Sequence, residues 1–343
     1  MNSRVGLVVD DRYLHHAISR PSQENPERLR RLAAIVRDRY RQKCRMYPAR
    51  TAERVDIEAV HSRFYLDQLR QHAGNADPFS YDRDTYLMED SFFTAELAAG
   101  GCLELADRIM DGTLDHGFAL IRPPGHHAEP GRGMGFCIFN NISVTAQYLR
   151  RKYHLNRILI LDFDAHHGNG TQEVFYDTDE VLVVSVHQRD LFPFTGKADE
   201  TGSGQGDGYT INMPVFAQFG DLEYTFLLGR VLQSVMEQYL PQIILVSAGY
   251  DGHRDETISG TLLSTEWYSL ITAMLKQYAH EVCGDRLLMI LEGGYNPASL
   301  EVSVLTTIDS LLTMRRDKIG IFYSERANQI LKNHPLRSCW TLQ

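Results

Sequence analysis

Short, unbroken apolar runs alternate along this chain with stretches in which apolar residues return every three or four positions. The runs Val5–Val9, Phe118–Ile121, Ile158–Phe163, Val181–Val186, Ile243–Ser247 and Leu287–Leu291 predict strands. The helical spacing predicts helices over Pro26–Tyr40, Glu89–Met110, Asn140–Lys152, Leu222–Tyr239, Thr265–Cys283 and Pro297–Met314. Strands that alternate with helices need crossover connections, hence an α/β fold with a central, mostly parallel sheet. Runs that are apolar throughout fit strands covered on both faces. The Gly-rich stretch Thr195–Gly208 predicts a loop, since it lacks the strand-then-helix context of a dinucleotide fingerprint. No repeat, low-complexity tract or linker interrupts the pattern, so residues 1–343 read as one domain, with 316–343 a tail of unassigned role.

Polar residues gather where the runs end. The run at 118–121 leads into RPPGHHAE, that at 158–161 into DFDAHH, and that at 181–186 into His187. Those at 243–248 and 287–291 lead into GYDGHRD and EGGYN. Open α/β sheets bind ligands at the carboxyl ends of their strands, so these separated segments are expected to converge on one pocket. The densest is 158–170, ILILDFDAHHGNG. Titratable groups are costly to hold at the edge of a core unless a metal or a reacting substrate pairs with them. On an extended chain Asp162, Asp164 and His166 leave on the same face.

Composition narrows the function. A net charge of −9 without a long basic run argues against duplex nucleic acid as ligand. Five scattered cysteines without a CxxC argue against a disulfide framework and a thiolate zinc site. No apolar run approaches a membrane span, and the first residues lack the apolar stretch of a secretory signal. The expected setting is cytoplasmic.

Asp164, His166 and Asp251 are the candidate metal ligands. Two carboxylates and one imidazole with open positions suit a divalent hydrolytic ion, zinc or else iron(II). An Asp after a strand commonly caps a turn, which is the plain alternative for Asp251; DxDxHH is harder to explain structurally. Hydrolysis at a metal also needs groups that take a proton from water and give one to the leaving group. His126 and His127, stiffened by PPG, are the candidates, although a lone His is more often structural. Asp162 and Asn169 are candidates to hold the second ring nitrogens, and a carboxylate favours the imidazolium where an amide leaves the ring neutral. Tyr295 in EGGY could polarise a carbonyl and stabilise the oxyanion, or merely anchor a turn.

Together these motifs resemble the histone deacetylase superfamily of metal-dependent amidohydrolases. The matching segments are ENPERL, AVHSRFY, DRDTY, RPPGHHAEPGRGMGFCIFNN, DFDAHHGNGTQEVFY, VSVHQRDLFPFTG, GDGYTINMP, LVSAGYDGHRD and LEGGYN, in family order over most of the chain. The resemblance implies an arginase-like three-layer fold and hydrolysis of N-acetyl amides, typically acetyl-lysine in a peptide or protein, or a small acylated amine. It assigns the metal, the histidine pair and Tyr295 as above, with Asp162 and Asn169 behind the histidines. Class I members carry Asp where Asn169 stands, so the chain is more similar to class II and its bacterial relatives. Phe136 and Phe192 match the walls of the acyl-lysine tunnel, Asp84 a rim aspartate that grips substrate backbone, and Gly294 a position where backbone lines the channel. The family also binds potassium. Asp162, Asp164, His166, Ser185 and Val186 match an inner site, and Phe175, Thr178, Val181 and Tyr209 an outer one. Oxygen ligands of that kind suit a hard cation.

Two positions bear on substrate. Eukaryotic polyamine deacetylases carry a gatekeeper Glu seven residues after the ligand matching Asp251, where this chain has Ile258 and, two residues before it, Glu256. Weakly active class IIa members have His where this chain keeps Tyr295. The resemblance thus implies an active deacylase for acetyl-lysine. The rivals are an acetylpolyamine amidohydrolase and a weakly catalytic acyl-lysine binding module. A binuclear ureohydrolase would need a second cluster of acids and histidines, which the sequence does not display.

Overall fold

The apolar runs are neighbours in a single eight-stranded parallel sheet. A computed structural model describes residues 3–75, 77–313 and 319–342. In chain order the strands are β1 (Val5–Val9), β2 (Arg45–Tyr47), the small hairpin β3 (Phe79–Ser80) and β4 (Tyr86–Leu87), then β5 (His116–Leu120) and β6 (Ile158–Asp162). They continue with β7 (Val181–Gln188), β8 (Thr210–Val215), β9 (Ile243–Ala248) and β10 (Leu287–Leu291). The large sheet runs β2-β1-β5-β10-β9-β6-β7-β8. Every residue of β5, β6, β9 and β10 is buried, as unbroken apolar runs require when both faces are covered.

The flanking helices are α1 (Glu27–Tyr40), α2 (Arg54–Ile57), α3 (Arg63–His72), α4 (Ser91–Met110) and α5 (Asn141–Tyr153). After them come α6 (Asn169–Phe175), α7 (Asp221–Gln238), α8 (Thr265–Val282), α9 (Pro297–Leu312) and α10 (Glu325–Asn333). Side chains fix the starts of those that matter for the site. Asn140 accepts from Ser143 N and Ser264 from Trp267 N, while Asn296 accepts from Ala298 N just before Pro297. Among the described residues, no helix is long and apolar enough to cross a membrane.

Several expectations need correction. The strand expected at Phe118–Ile121 begins at His116 and ends at Leu120, and that expected to reach Phe163 stops at Asp162. The helix expected from Glu89 starts at Ser91, and the one expected to end at Met314 ends at Leu312; Met314 lies outside the described residues. Strand β8 went unrecognised because its apolar residues Ile211, Met213 and Val215 alternate with Thr210, Asn212 and Pro214. Such alternation marks an edge strand rather than a central one, and an edge tolerates Pro214. That edge is covered by part of the tail. His334 Nε2 donates to Asn212 O (3.0 Å), and the Trp340 indole donates to Gly208 O (2.6 Å) while packing edge-on against Tyr209 and Tyr239.

Candidate active site

Four adjacent central strands, β5, β10, β9 and β6, each deliver chemistry from their carboxyl ends. His126 and His127 follow β5, Tyr295 follows β10, Asp251 follows β9, and Asp164 and His166 follow β6. Parallel register makes this convergence unavoidable: Asp162 pairs with Ser247 and Leu291 with Ala248, so the strand ends lie level.

Asp164, His166 and Asp251 are buried, and one ligand atom from each lies within 4.8 Å of the others. His166 Nδ1 is 2.8 Å from Asp251 Oδ2 and 3.1 Å from Asp164 Oδ1. The alternation of an extended strand is not what joins Asp164 to His166, as the sequence suggested. The chain bends after Asp162, and Asp164 Oδ1 accepts the backbone N–H of His166 (2.9 Å). The same turn economy fixes the other oxygens, with Asp164 Oδ2 accepting from Gly293 N (2.9 Å) and Asp251 Oδ1 from Ala165 N (2.9 Å). Gly293 allows this approach, because a Cβ there would lie 2.4 Å from Asp251 Oδ2 and 2.6 Å from Asp164 Oδ2. The group demands positive charge. Burial and the Asp164 carboxylate push Asp251 up to about 7, and burial of His166 is outweighed by the two carboxylates, which carry its ring up to about 10. A borderline divalent ion satisfies that demand, so the residues present fit a catalytic metal.

The two histidines stand 4.0 Å apart between ring centroids and have opposite environments. His126 Nδ1 donates to Asp162 Oδ2 (2.9 Å). Burial opposes its charged form, but Asp162 and Asp164 outweigh burial and carry the ring up to about 10. His127 Nδ1 donates to Asn169 Oδ1 (2.8 Å), and the Asn169 amide is oriented by its own donation to Glu129 Oε1 (2.9 Å). Burial, with repulsion from His126 and His166, holds His127 well below the usual imidazole range. The surroundings thus favour the imidazolium of His126 and the neutral ring of His127, whose Nε2 is left as acceptor.

A cavity of about 310 Å³ leads to this centre, lined by His127, His166 and Tyr295 within and by Phe136, Phe192 and Ile258 along its walls. Gln23, Asp82, Arg83 and Asp84 line it as well. Phe192 meets His127 edge-on at 5.1 Å and Phe136 lies 5.4 Å from the Tyr295 ring. Gly135 sits between these walls at positive φ, where a Cβ would lie 2.5 Å from His127 Cδ2 and 2.8 Å from the Phe192 ring. Gly135 is among the residues that line the channel, next to which Gly294 was expected from the sequence. The Gly294 carbonyl turns to Arg28 Nε (2.6 Å).

Sequence reasoning missed the residues that hold these loops. Arg28 is buried, donates to Gly294 O and Glu292 O, and stacks 4.5 Å from the Tyr295 ring centroid. Glu24 pairs with Arg28 (3.0 Å) and with Arg122 (2.6 and 2.8 Å), tying the histidine loop to the tyrosine loop. Glu292 Oε2 accepts from Gly125 N and His126 N (2.6 and 3.1 Å), and burial pushes its carboxyl up to about 7. Glu256 Oε1 accepts from Tyr295 N (2.7 Å) and Asn296 N (2.9 Å), so it faces the loop, whereas Ile258 faces the channel. These contacts join segments far apart in the chain, and only the runs ENPERL, RPPGHHAE and EGGY hinted at them. Of the residues matched to cation sites, Ser185 pairs in register with Asp162 next to Val186 on β7. Phe175 ends α6, Thr178 follows it, Val181 begins β7 and Tyr209 precedes β8.

Residues 22–311 match the histone deacetylase domain family. The chain is 34% identical to "Histone deacetylase 10, chloroplastic" of Oryza sativa subsp. japonica, over 92% of this chain and 76% of that protein. It is 37% identical to a "Probable deacetylase" of Archaeoglobus fulgidus, over 85% of this chain and 81% of that protein. A crystal structure of the HDA15 HD domain superposes with a TM-score of 0.88 at 33% identity, covering 99% of both chains.

Proposed function

The chain belongs to the histone deacetylase family, and on that footing we propose that it hydrolyses the amide of acetyl-lysine in peptides or proteins. The observation that carries this reading is the meeting of the Asp164–His166–Asp251 group with a histidine pair, one ring bonded to a carboxylate and the other to an amide, beside an aromatic-walled channel. Zinc is the ion we assign to the three ligands, with iron(II) the other ion the donors suit; when bound it supplies a Lewis acid and makes water acidic at neutral pH. Potassium, at the inner and outer residues named above, belongs to the same proposal. So does the treatment of residues 1–343 as one catalytic domain.

Phe136 and Phe192 take the aliphatic stem of an acyl-lysine, whose amide has lost the lysine charge. His127, neutral with Nε2 free, takes a proton from the attacking water and returns it to the leaving amine. His126, held as a cation by Asp162, stabilises the negative charge that develops beside it. Tyr295 donates its hydroxyl to the oxyanion. Burial pushes its ionisation well above the ordinary phenol range, so it remains a donor. The products are a carboxylate and a free amine.

Glu256 is a positioning residue in this scheme. A Glu256→Ala variant leaves two backbone donors beside Tyr295 unsatisfied, and kcat is expected to fall about tenfold with little change in KM. Glu256→Gln keeps an acceptor oxygen and is expected to restore most of the loss; equal damage in both variants would remove the positioning role.

Ile258 lines the channel at the gatekeeper position, and the Glu256 carboxylate is taken by the Tyr295 loop. Comparison of kcat/KM for an acetyl-lysine peptide, acetylputrescine and acetylspermidine tests the substrate reading. The peptide is expected to win; preference for either polyamine would assign the chain to acetylpolyamine hydrolysis instead.

A further inference from the structure

We propose that Arg83 makes the channel mouth selective for acyl-lysine flanked by acidic residues, a proposal that rests on the deacylase reading above. The hairpin turn between β3 and β4 lines the mouth with Asp82, Arg83 and Asp84. It is internally fixed. Asp82 Oδ1 accepts from Asp84 N (2.8 Å) and Thr85 N (2.6 Å), and Tyr81 N donates to Thr85 O (3.1 Å). It is also tied to the channel wall, since Thr85 Oγ1 accepts the backbone N–H of Phe136 (3.0 Å). The turn therefore presents its tip at a set position relative to the tunnel.

At that tip two charged side chains have work left to do. Among the described residues, neither the Arg83 guanidinium nor the Asp84 carboxylate makes an ion pair or a side-chain hydrogen bond, and both residues are exposed. Asp82 spends its carboxylate oxygens on the turn. A second guanidinium stands behind, with Arg20 Nη2 donating to Arg83 O (2.7 Å). Asp84 can accept peptide N–H groups; Arg83 offers a planar fork of donors, which a Glu or Asp side chain next to the acyl-lysine matches. Ile258, which lines the same channel, contributes no charge to compete for that fork. Because the acids and arginines of the turn nearly cancel at a distance, the preference comes from direct pairing, and its size is that of an exposed ion pair.

The test uses acetyl-lysine peptides that differ only in Glu, Gln or Lys on either side of the acyl-lysine. Both kcat/KM and Kd by fluorescence anisotropy are measured for the full chain and its Arg83→Gln and Arg83→Glu variants. The full chain is expected to favour Glu over Lys flanks by about five- to tenfold at low salt, combining one attraction with one repulsion. The ratio is expected to fall towards one in Arg83→Gln and to invert in Arg83→Glu. A Glu-to-Lys ratio that is the same in all three proteins overturns the proposal, as does a preference for Lys flanks in the unaltered chain. Absence of acetate from every peptide would count against the deacylase reading itself. The anisotropy ratio still decides the role of Arg83 in that case, and failure to bind any peptide overturns both.

Discussion

In an Asp251→Ala variant, bound metal is expected to fall from about one equivalent per chain to almost none, and turnover by about three orders of magnitude or more. Asp251 is fully buried, and its Oδ2 lies 2.8 Å from His166 Nδ1. Removing it leaves one carboxylate and one imidazole, too few donors to hold a divalent ion against water. The variant separates loss of the ion from loss of the fold. Metal binds the folded state in preference to the unfolded one, so adding zinc is expected to raise the Tm of the unaltered chain and leave that of the variant unchanged. Metal content measured by mass spectrometry reads the claim without any assay. An Asp251→Ala protein that retains a full equivalent would show that the ligands lie elsewhere.

The second large effect is expected at Tyr295. Tyr295→Phe removes one hydroxyl and keeps the ring that Arg28 and Phe136 pack against. On the proposed reading the substrate stem is held by the walls rather than by this hydroxyl, so KM is expected to move little. The oxyanion loses a donor in a buried site, where such donors carry about two to three orders of magnitude in kcat. The expected signature is a fall in kcat of about a hundredfold or more with metal content unchanged. Near-normal kcat would return Tyr295 to a structural role at the start of α9.

The parts of the site written in contiguous residues were legible in the sequence. The loops after β5, β6, β9 and β10 each carry their polar residues beside an apolar run, so the convergence on one pocket followed from strand parallelism alone. The opposite environments of His126 and His127 followed from the chemistry of Asp162 and Asn169. Local geometry was less legible. Asp164 and His166 meet through a bend closed by a carboxylate, where alternation along a strand was the simpler guess. Long-range ties left no local mark. Glu24, Arg28, Arg122 and Glu292 hold the catalytic loops through contacts spanning most of the chain, and nothing in the periodicity of their own segments signals that role. Edge elements escaped for a related reason. Strand β2 has three residues, and β8 alternates where central strands run unbroken.

The measurement that bears most directly on the account is acetate released from an acetyl-lysine peptide by the chain loaded with one equivalent of zinc, repeated after chelation. Turnover that disappears with the chelator and returns when zinc is restored is the expected result. A chain that holds zinc, binds the peptide and releases no acetate would contradict it.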